Sequence, residues 1–475
     1  MSALGEKNRV GKQLFGTDGI RGVAGEYPLD PATVFAFGLA LGRDAAITQE
    51  KSAQEKPTQE GSMQEKPAQE KPKILIGADT RESSTWIAEM VAGGLQEAGA
   101  EVSYAGVITT PGVAYLTRTG PFLAGVMISA SHNPYQDNGL KVFGHSGFKL
   151  PDAEEHTIEQ EILRLREEGV APVPAPLAID GAWDRQYLDF LASLASVSFA
   201  GVKLVIDCGN GASYLLAPEL FRRLGADVAT MCTEPNGRNI NLQCGALHLD
   251  GLRAAVVAAG ADLGVAFDGD ADRAIFVGKS GKAIDGDAVM LVLARAMKHA
   301  GHLQEDTVVS TVMSNLGLEK ALEAAGIRMV RTPVGDKYVL EEMVRLGASL
   351  GGEQSGHVIL RKYSTTGDGM LTALMVIETA VKAGVGLDEL TADLRVYPQK
   401  LVNVRIREKK GLTELPSVAR EIAYVETAFA GTGRVLVRFS GTEPLARVMV
   451  EGQDAQQVEN FTDRIAEAIR KEMGA

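Results

Sequence analysis

The chain has 475 residues, 45% apolar and 23% charged, with a formal net charge of −13. That length predicts three or four domains with several buried cores. The acidic balance, with no Lys/Arg-rich block, argues against nucleic acid or an anionic membrane as partner. No apolar run reaches the roughly 18 residues of a membrane span, and the N-terminus MSALGEKNRV lacks the apolar core of a signal peptide. Cys208, Cys232 and Cys244 are too few and too scattered for a disulfide framework or a four-ligand zinc site. A cytoplasmic location is expected.

In chain order, the glycine-rich stretch Phe15–Gly22 (FGTDGIRG) comes first; its backbone allows close approach, and Arg21 is a candidate phosphate ligand. From Thr48 to Pro72 QEK-type units repeat with almost no apolar residues, which predicts a disordered surface loop. Lys73–Ala78 reads as a strand and Ser84–Ala98 as a helix. Phe122–Ile128 is a further apolar run, and Val202–Asp207 leads through the turn Gly209-Asn210-Gly211 into a helix at Leu215–Leu224. Leu263–Phe267 and Ala274–Val277 flank an aspartate-rich loop, and Thr307–Val312 precedes a helix at Leu318–Ala325. Strands separated by helices predict βαβ units and mixed, mainly parallel sheets. After about Pro398 the pattern changes: Leu401–Ile406, Arg434–Phe439 and Ala446–Glu451 precede an amphipathic helix from Ala455 to about Lys471, which reads as a smaller α+β domain. The expected division is 1–175, 176–276, 277–393 and 394–475.

Two loops carry the strongest chemistry. Ser129–Pro134 continues to Lys141 and follows a predicted strand, so it should stand at the strand's carboxyl end, where open α/β sheets place ligands. There Ser131 is a candidate phosphate carrier, Lys141 a candidate acid/base and His132 a candidate stabiliser of a seryl phosphate. Alone, the stretch reads better as a polar turn. In Asp268–Arg273, three carboxylates at alternate positions of a tight turn can converge on one hard cation. An EF-hand fails, because Arg273 and Lys279 stand where glycine and an acid are needed. An aspartyl phosphatase is weakened by Asp272 standing where Thr or Val belongs. A solvated turn ranks below a metal site, because three adjacent acids repel unless a cation neutralises them.

Weaker signals follow. Gly352–His357 places Glu353, Ser355 and His357 as partners for sugar hydroxyls, with a structural histidine as the bland alternative. Arg438–Pro444 combines Ser440, Gly441 and Thr442 with Arg438 and the nearby Arg447, a set suited to a phosphate dianion, against even odds of a plain hairpin.

Taken together and in order, FGTDGIRG, ISASHNPYQDNGLKVF, FDGDADR, GEQSGH and RFSGTEPLARVMVEG resemble the α-D-phosphohexomutase superfamily. Thr365–Gly369 and Asn239–Gly245 bring the chain closest to its glucosamine branch, although Ala246-Leu247 replace the usual Ser-Thr of that branch. The resemblance implies three similar α/β domains and a smaller fourth around a cleft. It makes Ser131 a phosphoserine that binds magnesium together with Asp268, Asp270 and Asp272. Lys141 becomes the acid/base, with Arg21 and Arg273 on the transferring phosphate. Glu353 and Ser355 hold the sugar, and Ser440, Gly441, Thr442, Arg438 and Arg447 hold the other phosphate. The implied reaction interconverts glucosamine 6- and 1-phosphate through a sugar 1,6-bisphosphate, feeding UDP-N-acetylglucosamine synthesis; a homodimer is also implied. Rivals are a mannose or glucose phosphate mutase, a phosphatase with Asp268 as nucleophile, and a non-catalytic phosphosugar sensor.

Overall fold

The structure, a computed structural model, describes residues 13–16, 18–54, 71–408, 411, 415–439 and 444–474. These fall into two compact units, one within 1–312 and 330–391, the other within 313–329 and 392–475. Among the described residues no helix is long and apolar enough to cross a membrane.

The first unit opens with a six-stranded sheet. Its strands are β1 (Phe15–Gly16), β2 (Gly19–Val23), β3 (Lys73–Ala78), β4 (Glu101–Val107), β5 (Ala124–Ile128) and β6 (Asp137–Gly144), in the order β1-β2-β6-β5-β3-β4. Its helices are α1 (Pro31–Gln54), α2 (Ser84–Glu97), α3 (Thr110–Thr119) and α4 (Asp152–Glu167). Alternation along β3 and β5 divides the two faces. Ile74, Ile76, Ala78, Val126 and Ile128 enter one core with α1, α2 and α4. Gly77 and Gly125 face Val113 and Thr117 of α3 instead. The segment expected to be a disordered loop from Thr48 begins as helix, since α1 continues to Gln54; 55–70 lie outside the described residues.

Helices α1 and α2 approach backbone to backbone. A Cβ on Gly94 would stand 2.2 Å from the carbonyl oxygen of Phe35 and 2.5 Å from the nitrogen of Leu39. Neither backbone atom can rotate aside, so Gly94→Ala should separate the helices and lower stability by about 2 kcal/mol. A thermal-unfolding comparison with wild type checks this.

The second sheet holds β7 (Lys203–Asp207), β8 (Asp227–Met231), β9 (Leu263–Phe267), β10 (Ala274–Gly278) and β11 (Ala283–Ile284), in the order β11-β10-β9-β7-β8. Helices α5 (Ala182–Leu194), α6 (Leu216–Arg223) and α7 (Asp250–Ala259) accompany it. Because β10 runs to Gly278 and β11 pairs with it, the boundary expected at 276 falls inside a strand, and this sheet ends at Ile284.

The third sheet, β13-β12-β14-β15, contains β12 (Thr307–Thr311), β13 (Arg328–Thr332), β14 (Leu350–Gly352) and β15 (Val358–Leu360). With it come α8 (Gly286–His299), α10 (Asp336–Leu346), α11 (Gly369–Ala383) and the short α12 (Leu387–Leu390), while α9 (Leu316–Ala324) falls between β12 and β13 in the chain but belongs to the second unit. Parallel pairing is less general than expected in these sheets. β3 is parallel to β4 and β5, β7 to β8 and β9, and β12 to β14, while β5–β6, β9–β10 and β14–β15 are antiparallel hairpins. Those hairpins bring the serine, aspartate and glutamate loops to strand ends.

The second unit is built on an antiparallel sheet, β16-β18-β17, of β16 (Gln399–Arg405), β17 (Arg434–Phe439) and β18 (Leu445–Glu451). The apolar faces of α13 (Pro416–Phe429) and α14 (Ala455–Met473) share a core with these strands. Segment 313–329, with α9, belongs to this unit: the buried carboxylate of Glu451 accepts from the Leu316 N–H at 2.8 Å.

Candidate active site

The serine loop leaves β5 at its carboxyl end, as the sequence predicts. Ser131 has φ 53°, the left-handed region, and is 2% exposed. A buried scaffold imposes that conformation. Asp79, just past β3, accepts hydrogen bonds from Ser84 Oγ (3.0 Å), Ser129 Oγ (2.6 Å) and Arg81 Nε (2.9 Å). Ser129 Oγ accepts from the Ser131 N–H at 2.9 Å. Arg81 Nη2 donates to the carbonyls of Ser131 and Asn133, both at 2.9 Å, and Asn241 Nδ2 donates to the same two carbonyls. Asp79 and Arg81 escaped sequence reading. Asn241 lies in a stretch singled out for its branch resemblance rather than for this role.

The aspartate loop is the β9–β10 hairpin. A Cβ on Gly269 would meet the Ser131 carbonyl oxygen at 2.5 Å, so glycine there lets the two loops touch. Ser131 Oγ donates to Asp268 Oδ2 at 2.6 Å and lies 3.2 Å from His132 Nδ1. Thr110 Oγ1 donates to Asp270 Oδ2 at 2.5 Å, and the Gly369 N–H, in the Thr365–Gly369 stretch, donates to the Ala271 carbonyl at 2.9 Å. The carboxylates of Asp268, Asp270 and Asp272 lie within 4.8 Å of one another and are buried. Buried Oδ1 atoms of Asp270 and Asp272 have no hydrogen-bond partner. Three converging hard oxygen donors with orphaned lone pairs fit a divalent cation.

Charge compensates charge around them. Lys141 Nζ sits 2.8 Å from Asp270, 3.1 Å from Asp18 and 3.5 Å from Asp272. Burial works against its ammonium, but the three carboxylates push its pKa up, so in this state it is a firmly held cation. Burial would raise Asp18, yet Lys141, Lys149 and Arg21 hold it well below the usual carboxylate range. Asp268 is pushed well above that range by burial and then by Asp272 and Asp270. Asp270 is kept low against its burial by Lys141. His132 is brought down to about 4 by burial and by the Arg273 and Arg21 cations, and so stands neutral near pH 7.

A cavity of about 380 Å³ opens onto these groups, lined among others by Arg21, Ser131, His132, Arg273, Glu353 and His357. Arg21 pairs with Asp18 and reaches the Ala130 carbonyl at 3.4 Å. The Nε atoms of Arg21 and Arg273 are buried without a hydrogen-bond partner. Glu353 Oε1 accepts from the Gly335 N–H at 3.1 Å, and Ser355 Oγ donates to its other oxygen at 3.4 Å; Ser355 is not on the cavity wall. His357 Nε2 accepts from the Gly367 N–H at 3.2 Å, so its ring is held from behind. Three lining or bracing residues were unassigned from sequence. Lys149 Nζ lies 2.5 Å from both Asp18 and Asp336, joining the first sheet's layer to the start of α10.

On the second unit, Arg438 and Arg447 are register partners on β17 and β18. Two cations directly opposed across strands repel, and burial and then Arg447 lower the pKa of Arg438. Ser440, Gly441 and Thr442 lie outside the described residues.

Comparison with known proteins agrees with this layout. Four family models match successive stretches: phosphoglucomutase/phosphomannomutase alpha/beta/alpha domain I at 60–169, domain II at 185–281, domain III at 285–397 and the C-terminal domain at 401–468. A phosphoglucosamine mutase of Solibacter usitatus is 70% identical over 98% of this chain and 100% of its own length. The chain belongs to the phosphoglucosamine mutase family. A second phosphoglucosamine mutase, from Koribacter versatilis, is 49% identical over 98% of each chain. The crystal structure of a phosphoglucomutase/phosphomannomutase family protein from Burkholderia thailandensis shares the fold, with TM-score 0.75 and 21% identity over 97% of this chain and 99% of that one. As a phosphoglucosamine mutase family member the chain is an enzyme, a phosphosugar mutase, and Asp268, Asp270 and Asp272 form a group able to hold a metal.

Proposed function

We propose that the chain interconverts glucosamine 6-phosphate and glucosamine 1-phosphate through phosphorylated Ser131 and a glucosamine 1,6-bisphosphate. The observation that carries this reading is the 2.6 Å contact of Ser131 Oγ with Asp268, in a cavity whose buried orphan atoms are both guanidinium donors and carboxylate oxygens. That mixture suits a phosphoryl group beside a cation, because phosphoryl transfer depends mainly on positioning and charge neutralisation.

In this reading the sugar's free hydroxyl attacks the phosphorus on Ser131, and the bond from phosphorus to Oγ breaks. Lys141, an ammonium, gives the departing Oγ a proton and takes up the one the attacking hydroxyl releases; when Oγ attacks the turned bisphosphate, the same nitrogen takes the Oγ proton and returns one to the departing sugar oxygen. Arg21 and Arg273 hold the transferring phosphoryl oxygens, and neutral His132 stands beside Oγ. Glu353 and His357 on the cavity wall, with Ser355 bonded to Glu353, meet the sugar hydroxyls. Arg438 and Arg447, with Ser440, Gly441 and Thr442, take the phosphate that is not being transferred, and that anion relieves the repulsion between the two arginines. Magnesium is the proposed ion for the aspartate triad, since all its donors are hard oxygens; bound there, it supplies positive charge against the phosphoryl oxygens. We also assign the protein to the cytoplasm and a homodimer.

Asp270→Asn should weaken magnesium binding at least about 10-fold, by analogy with the cost of disturbing a metal's support; isothermal titration checks it. The reaction itself is tested by phosphorus NMR with magnesium, a trace of glucosamine 1,6-bisphosphate and glucosamine 6-phosphate. Glucosamine 1-phosphate forming much faster than the products from glucose or mannose 6-phosphate supports the reading. Preference for either other sugar moves the specificity, and free phosphate without a 1-phosphate overturns the mutase assignment in favour of hydrolysis.

A further inference from the structure

The second sheet brings two of the three cysteines, twelve positions apart, to an aspartate that precedes both in the chain. Asp207 ends β7, Cys232 follows β8 and Cys244 closes the turn-rich stretch from Asn239. Their ligating atoms, one carboxylate oxygen and two sulfurs, all lie within 4.8 Å of one another. Asp207 and Cys244 are buried, while Cys232 is half-buried and leaves one side open to entry. Such a triangle encloses a point that all three atoms reach with small side-chain rotations, given zinc–sulfur bonds of about 2.3 Å.

The groups behind these atoms fix their orientation. Asp207 Oδ1 accepts from the Gly209 N–H and Oδ2 from the Gly245 N–H, each at 2.9 Å, and Asn210 Nδ2 donates to Cys244 Sγ at 3.9 Å. Ligands braced by hydrogen bonds from surrounding backbone are the usual support of a metal site. We propose that Asp207, Cys232 and Cys244 bind one thiophilic divalent cation of the zinc class, with water in the remaining position. This site is chemically distinct from the all-oxygen aspartate triad: thiolates select zinc-class ions and carboxylates alone select magnesium.

The proposed site is wired to the serine loop. Asn241, between the ligand-bearing strand ends, gives its N–H to the Gly209 carbonyl at 2.8 Å and its side-chain amide to the Ser131 carbonyl at 2.9 Å. A cation joining Asp207, Cys232 and Cys244 therefore stiffens the support behind Ser131.

Cobalt(II) is the probe. The full chain, stripped with chelator, is titrated while the near-ultraviolet thiolate-to-cobalt charge-transfer band is recorded; oxygen ligands alone give no such band. The expected result is a band saturating at one equivalent, displaced by zinc but not by magnesium. It should persist in Asp270→Asn and vanish in Cys232→Ser, a half-buried position where the change is mild. Zinc should also raise the thermal midpoint of wild type and leave that of Cys232→Ser unmoved. Absence of the band at stoichiometric cobalt, or its survival in both Cys232→Ser and Cys244→Ser, would overturn the proposal.

Discussion

Ser131→Ala is expected to reduce glucosamine phosphate interconversion by at least about 10⁴-fold, the scale of losing a covalent nucleophile. The fold should survive, because Arg81 and Asn241 hold residue 131 by its backbone carbonyl and Ser129 by its N–H, and none of these bonds involves Oγ. Circular dichroism should therefore match wild type closely, leaving catalysis and the phosphoserine's share of magnesium binding as the properties that change. Labelled bisphosphate should transfer an acid-stable phosphate to wild type and none to the variant. Near-normal turnover in Ser131→Ala would sink the phosphoserine mechanism.

Arg81→Met should have the largest effect on stability. Arg81 and Asp79 pair at 2.9 Å with both side chains 0% exposed. Removing one partner leaves a buried charge uncompensated, at a cost of about 3–5 kcal/mol. Asp79 would also lose its hold on the loop through Arg81, and the carbonyls of Ser131, Asn133 and Pro134 would lose a shared donor. Calorimetry should show the thermal midpoint falling by several degrees, with turnover reduced even where the protein remains folded. The comparison variant is Arg238→Met, whose partner Glu82 is also exposed; solvent already screens that pair, and its midpoint should stay at the wild-type value. Equal midpoints for the two variants would contradict the role given to Arg81.

The sequence announces what is local and periodic. β3, β9 and β17 have the predicted ends, and α2 and α14 differ from prediction by one or two residues, because apolar alternation and amphipathic spacing are written within each segment. The aspartate triad was legible for a similar reason, since its residues are neighbours in the chain, whereas the serine stretch alone reads as a polar turn and Ser131 stands out only when the five motifs are taken together. Strand direction was less so: βαβ rhythm implies parallel pairing, but β6, β10 and β15 return as hairpins, which their own residues do not advertise. The support of the site was least legible. Asp79, Arg81 and Lys149 look like ordinary surface charges until the sheet buries them, and Asp18 sat inside a noticed glycine-rich stretch without a visible partner. Their importance comes from contacts with distant parts of the chain: Asp79 and Arg81 reach the serine loop 50 positions on, and Lys149 reaches Asp18 and Asp336 across 131 and 187.

That last contact has a consequence for descent. Asp18, Lys149 and Asp336 form an alternating chain of half-buried charges, with Lys149 separated from its partners by 131 and 187 positions. A lineage that loses the lysine alone leaves Asp18 with Lys141 and Arg21 but takes the bridging ammonium from Asp336, and one that loses an acid alone weakens the same join between layers. Single steps away from the trio are therefore unfit, while a compensated double or triple step is neutral. Across the relatives of this chain, positions 18, 149 and 336 should be inherited or replaced as a set.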